Sequence, residues 1–124
     1  MNWFAVGACA AGLGVVLGAF GAHALKVRLT PEMLAVFETG VRYHMYHALA
    51  LLAAGWAATR WTSSAVGVAG WAFLVGIVLF SGSLYILAAT GVRAWGAVTP
   101  FGGLGFIVGW VALAWAALRG NPFV

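Results

Sequence analysis

Eight charged residues punctuate an otherwise apolar chain: Lys26, Arg28, Glu32, Glu38, Arg42, Arg60, Arg93 and Arg119. Between them lie four apolar runs, Met1 to Leu25, Tyr43 to Thr59, Trp61 to Val92 and Ala94 to Leu118. A transmembrane helix needs about 20 residues, within a range of about 17–25. The first and fourth runs meet that length directly. The second sits at the short end and opens with polar residues. The third is long, and Thr62-Ser63-Ser64 reads as a turn that leaves a span near residues 65–90. The runs are continuous rather than alternating, so they predict helices and not the strands of a membrane barrel. The predicted fold is all-α, a four-helix transmembrane bundle in one integral membrane domain, with spans at about 3–25, 43–59, 65–90 and 97–118.

Residues 26–42 form the longest polar connection. Thr30-Pro31-Glu32 signals a helix start, with Thr as the cap, Pro at the first helical position and an acid in the first turn. Met33, Leu34, Val36 and Phe37 then give a short amphipathic helix over about 31–42, expected to lie at the membrane interface. Glu38 and Arg42, four residues apart on its continuation, are spaced to form an ion pair.

Composition sharpens this picture. The chain is 65% hydrophobic and 6% charged, where a soluble domain carries about 25% charged residues. It could not cover a water-facing surface. Six basic residues against two acidic ones give a formal charge of +4. They are dispersed along the chain and form no basic patch, which excludes nucleic acid as a partner. The expected partner is the lipid bilayer, with basic residues and Trp at span ends as interfacial anchors. Lys26, Arg28, Arg42 and Arg93 flank one side of the predicted bundle and Arg60 and Arg119 the other, and the orientation of the termini stays open. Cys9 is the only cysteine, so no intramolecular disulfide or Cys-based metal site is available; it is expected to be a small packing residue. Met-Asn-Trp-Phe carries no positive charge, and the apolar run outlasts a signal-peptide core of about 7–15 residues. The first run is expected to be a retained span.

The chemistry concentrates between Glu38 and His47, which holds two of the three histidines and two of the three tyrosines. At helical spacing Tyr43 and His47 share a face, and His44 lies on the adjoining edge. A His-x-x-His pair is able to bind a metal, with His23 the sole source of a third nitrogen, but no carboxylate has the spacing of a metal site. No metal or other cofactor is expected. The favoured reading is an uncharged, hydrogen-bonded histidine cluster joining helix ends, with a proton or ligand role as the alternative. Ser81 and Ser83 flank Gly82 and are expected to bond to their own helix or to a neighbour. There is no nucleophile elbow and no Asp to complete a triad, so no catalytic residue is assigned. Thr99-Pro100 reads as a helix cap followed by the first helical residue. The candidate polar cluster is therefore His23, Glu38, Arg42, Tyr43, His44, His47, Ser81, Ser83, Tyr85 and Thr99.

Small residues supply a second set of candidates. Gly14 and Gly18 form a G-x-x-x-G that Ala22 extends by another turn, Gly21 is a further small residue of the same run, and Gly105 and Gly109 form another G-x-x-x-G. With Gly82, Gly102 and Gly103 these are expected to let helices approach closely, which is how helices associate in lipid. The partner is either another span of this chain or a second copy.

Four segments carry a resemblance: Gly18-Ala-Phe-Gly-Ala-His23, Tyr43-His-Met-Tyr-His-Ala-Leu49, Leu79-Phe-Ser-Gly-Ser-Leu-Tyr85 and Thr99-Pro-Phe-Gly-Gly103. In order and spacing the chain resembles the small four-span membrane proteins of domain-of-unknown-function family 423, found in bacteria with mitochondrial relatives. The resemblance covers essentially the whole chain. It implies the helical membrane fold and a location in the bacterial cytoplasmic (inner) membrane, and it supplies no activity. His23, Tyr43, His47, Ser81, Ser83, Tyr85 and Thr99 match the family pattern. His44 departs from it, standing where the family has Gln, so a metal site needing His44 would not be a family property.

The expected function is that of a non-enzymatic accessory or self-associating helical bundle, as a homo-oligomer or within a larger membrane complex. The alternative is a small channel, transporter or ligand-binding membrane protein using a His and Tyr cluster near one membrane face. That alternative requires the polar residues to converge on one cavity. An enzyme using the histidines with a metal or a quinone-like cofactor has no supporting motif.

Overall fold

The computed structural model describes residues 1–123. Four helices make up the fold, α1 (Trp3–His23), α2 (Pro31–Ala57), α3 (Ser64–Thr90) and α4 (Thr99–Arg119). Three of them start on a polar side chain that accepts from the first turn. Asn2 Oδ1 takes the Ala5 amide at 3.0 Å, Thr30 Oγ1 the Met33 amide at 3.2 Å, and Ser63 Oγ the Ala65 amide at 3.2 Å. Each satisfies one of the amides that a helix start leaves without a partner. α3 stops at Gly91, whose φ of +70° is the left-handed conformation that glycine adopts without a side-chain clash.

The entry to α4 departs from expectation. A 3-10 turn over Arg93–Ala97 feeds it, Val98 occupies the cap position, and no side chain caps the helix. Thr99 is already helical, and its hydroxyl turns to a neighbouring helix instead of its own amides.

The larger correction concerns α2. The expected interfacial helix at 31–42 and the expected span at 43–59 form one uninterrupted helix from Pro31 to Ala57. Nothing in this stretch breaks the ladder: Pro31 stands at the start, and the lone glycine at its middle, Gly40, lies under the Tyr85 ring. A Cβ at Gly40 would stand 2.8 Å from Tyr85 Cε1. Glu38 and Arg42 also do not pair. Among the described residues the one ion pair joins Glu32 to Arg93 at 3.1 Å, with both side chains well exposed, so its contribution is about 1 kcal/mol or less.

The helices pack in sequence order, α1 on α2, α2 on α3 and α3 on α4, leaving α2 and α3 central. At one end the Glu32–Arg93 pair links the first turn of α2 to the α3–α4 connection. At the other end, the two-residue strand β1 (Trp61–Thr62) pairs antiparallel with β2 (Asn121–Pro122). Trp3 stacks edge-on against Trp71 at that same end, with centroids 5.3 Å apart.

The core joins all four helices through Trp3, Leu51, Ala54, Phe73, Ile77 and Phe106. Its rings sit on glycines. Trp3 lies over Gly70, and a Cβ added at Gly76 or Gly109 would stand 2.5 Å from the Phe106 or Phe73 ring. Helices in lipid are held by such packing. The small residues of α1 face α2 of the same chain: a Cβ at Gly14 would meet Met45 Cε at 3.2 Å, one at Gly18 would meet Val41 Cγ1 at 3.3 Å, and one at Gly21 would meet the Phe37 ring at 2.7 Å. Gly105 faces the Ala72 carbonyl, and Gly102 abuts the Phe80 backbone. Gly103 only grazes Phe80 at 4.0 Å, and Gly82 opens on no atom within 4 Å. Gly82 therefore makes no close helix approach.

Three helical stretches are long and apolar enough to cross a membrane, Trp3–Val27, Ser64–Thr90 and Arg93–Arg119. α2 is as long as α3 but less apolar, since Glu32, Glu38, Arg42 and two histidines lie on it.

Candidate functional site: two histidine nodes

His44 is buried where α1, α2 and α3 meet. Its Nε2 stands 2.8 Å from the Ala10 carbonyl oxygen, and its Nδ1 2.8 Å from the Tyr85 hydroxyl. A carbonyl only accepts, so Nε2–H is the donor there, and the Tyr85 O–H is then free to donate to Nδ1. The imidazole ties three helices together through one ring. Gly14 makes room for it, since a Cβ there would come within 3.5 Å of His44 Cδ2. Beside it, Ser81 Oγ donates to the Gly40 carbonyl at 2.6 Å, a second bond from α3 to α2.

His47 faces the other way, into α3 and α4. Its Nδ1–H donates to the Tyr43 carbonyl one turn back at 2.8 Å, and its Nε2 accepts from Trp110 Nε1–H at 3.1 Å. The ring lies flat on Phe106, centroids 3.4 Å apart and planes 7° from parallel. Phe73 and Trp110 complete the box at 5.7 and 5.9 Å. Tyr43, partly exposed, lies beside the His47–Phe106 stack, 6.3 and 6.4 Å from the two centroids, and borders an open groove of about 610 Å³ together with Phe80, Leu104 and Trp110.

The remaining expected residues scatter. His23 is exposed at the end of α1 and bonds its own helix through the Ala19 carbonyl. Ser83 Oγ donates to the Phe80 carbonyl at 2.9 Å, so the Thr99 hydroxyl, 2.6 Å away, is the donor between the two. Glu38 and Arg42 are exposed on α2. The ten residues thus do not line one cavity, as a channel or transporter would need. They form a node around His44, a node around His47, a Ser83–Thr99 link and a solvent-side remainder. Among the described residues no three His, Cys, Asp or Glu side chains gather in a way that could hold a metal, and both ring nitrogens of His44 and His47 are committed to hydrogen bonds.

Sequence reasoning missed the partners that define these nodes. Phe106 and Trp110 lie four apart on α4, a spacing that places them on one helix face and was a usable signal. The Ala10 and Gly40 carbonyls carry no signal, because every residue has one.

Comparison with known proteins bears on the same segments. The family model described as a protein of unknown function (DUF423) matches residues 17–103, a stretch that holds both nodes apart from Ala10, Gly14, Phe106 and Trp110. The chain belongs to this family. The UPF0382 membrane protein YwdK of Bacillus subtilis is 48% identical over 115 residues, covering 92% of this chain and 94% of its own length. A UPF0382 membrane protein of Staphylococcus saprophyticus is 51% identical over 108 residues, 87% of this chain and 89% of its own. One from Haemophilus influenzae is 43% identical over 108 residues, 85% and 84% of the two chains. No solved structure matches the chain. The names give these family members a membrane location and no activity. With three helical stretches apolar enough to span, this family member is an integral membrane protein of the bacterial cytoplasmic membrane.

Proposed function

We propose that the chain is a non-enzymatic, four-span accessory module whose interior polar groups serve to fix helix positions, leaving its outer surface to contact other membrane proteins or further copies. The observation that carries this reading is the complete pairing of the interior. Among the described residues no buried side-chain nitrogen or oxygen lacks a hydrogen-bond partner, and the bonds at His44, His47, Ser81 and Ser83 run between helices or back onto them. A polar group in lipid is costly unless satisfied, and here each one joins backbone or side chains of this chain. None is presented to a solute.

Chain parity supports a fourth crossing. The β1–β2 ladder brings the end of α4 to the α2–α3 turn, and Trp3 at the start of α1 packs beside it. Both outer ends of the helical array therefore lie on one side, which suits an even number of crossings. At 1.5 Å per residue α2 is about 40 Å long, about 10 Å more than the hydrocarbon layer. The excess would let Glu32 and its turn stand in the headgroup region while the histidines remain inside.

The test is native mass spectrometry of the full chain released from mild detergent, alongside solute and proton flux in proteoliposomes. The expected result is a defined oligomer or a co-purifying membrane protein, with flux no greater than in empty vesicles. A bare monomer that conducts protons or a solute would overturn the reading.

A further inference from the structure

α4 rests on α3 and meets α2 only lightly, and the open α2–α4 face carries two apolar hollows that share Trp110 as a lining residue. On one side of Trp110 lies the hollow bordered by Tyr43 and His47. On the other lies a hollow of about 320 Å³ lined by Ala53, Trp56, Trp61, Leu113 and Ala117. The stretch of α4 from Pro100 to Ala117 spans about 25 Å of helix axis, most of the hydrocarbon thickness of about 30 Å. Both hollows are apolar almost throughout, so within a membrane they face acyl chains.

Both ends of the bundle carry basic residues, Lys26, Arg28, Arg42 and Arg93 at one and Arg60 and Arg119 at the other, but only the Arg60 end lacks an acidic residue. At the Trp56–Trp61 hollow the Arg60 guanidinium lies over the Trp56 ring, 5.9 Å from its centroid, and its side chain is exposed. Both acidic residues of the chain, Glu32 and Glu38, sit in the first half of α2, toward the opposite end. An apolar hollow capped by an arginine and paired tryptophans matches one kind of molecule in its surroundings, a lipid with a negative headgroup. The guanidinium fork suits a phosphate oxygen pair, and Trp is at home at headgroup depth. We propose that the open α2–α4 face binds one acyl chain of an anionic phospholipid whose phosphate is held by Arg60.

The full chain in mild detergent, offered phosphatidylglycerol or phosphatidylcholine with the same acyl chains, tests this by native mass spectrometry. The wild type is expected to retain phosphatidylglycerol about fivefold more, the weight of one cation beside an anionic lipid, because the choline ammonium of the other lipid offsets the phosphate charge that Arg60 meets. Arg60→Gln should bring the two lipids to parity. Ala117→Leu, on an exposed position that tolerates bulk, should lower retention of both while keeping their ratio. Arg119→Gln is the control for general positive charge, because Arg119 lies over Trp115 on another flank of α4; it should keep the wild-type ratio. Equal retention of both lipids by the wild type would overturn the proposal. So would a preference that survives Arg60→Gln, one lost as fully in Arg119→Gln, or retention indifferent to Ala117→Leu.

Discussion

His44 and His47 lie three residues apart on the same helix, and both are buried, yet they do different work. His44 is a cross-tie: its two nitrogens reach a backbone carbonyl on α1 and a hydroxyl on α3. His47 is a packing ring: one nitrogen folds back to its own helix, one accepts from Trp110, and its face lies on Phe106. A turn of helix is 3.6 residues, so three residues leave an offset of about 60°, and that suffices to send the two rings to opposite sides of α3. Two histidines in one motif need not share a site.

Replacing His44 should have the largest effect. His44→Leu removes the partner of the part-buried Tyr85 hydroxyl and of the Ala10 carbonyl, and should lower stability by about 2–3 kcal/mol. Reversible unfolding in mixed detergent micelles, followed by circular dichroism, measures it. His47→Leu should cost less, about 1–2 kcal/mol, because Trp110 is already half exposed and loses one bond and a ring contact. Its signature is a shift in tryptophan emission that His44→Leu should not produce. If both variants shift the emission alike, the two nodes are one.

Tyr85→Phe isolates a single bond of the cross-tie and should cost about 1 kcal/mol. Combined with His44→Leu it should add little more, since the partners share one interaction; a double-mutant cycle would return a coupling of about 1 kcal/mol. Gly14→Ala sits at the bottom of the scale. The added carbon meets the far end of Met45, a flexible side chain, and alanine improves helix propensity, so the net change should stay within about 0.5 kcal/mol. A larger loss would mean that the His44 ring, 3.5 Å from that carbon, tolerates no shift.

The helical membrane character, the start of α2 at Thr30-Pro31 and the all-α architecture were legible because they depend on local pattern. Length, apolar runs and capping residues act over a few positions. The continuity of α2 was not legible, because Glu38 and Arg42 look like the edge of an interfacial segment when α1 and α3 are out of view. Thr99 looked like a cap until Ser83, sixteen residues earlier on the adjoining helix, offered its hydroxyl a shorter bond. The division of the histidines depended on partners that lie 34 to 63 residues away. No local pattern encodes that distance.

The serial packing of the helices has a further consequence. α1 and α4 each rest on one main neighbour, while α2 and α3 each rest on two. A thermal fluctuation that lifts an outer helix into the surrounding lipid separates a single seam, whereas freeing a central helix separates two. The bundle therefore opens from its flanks. The His44 cross-tie acts as a latch on the α1 seam, and the His47–Trp110 bond as a lighter one on the side of α4.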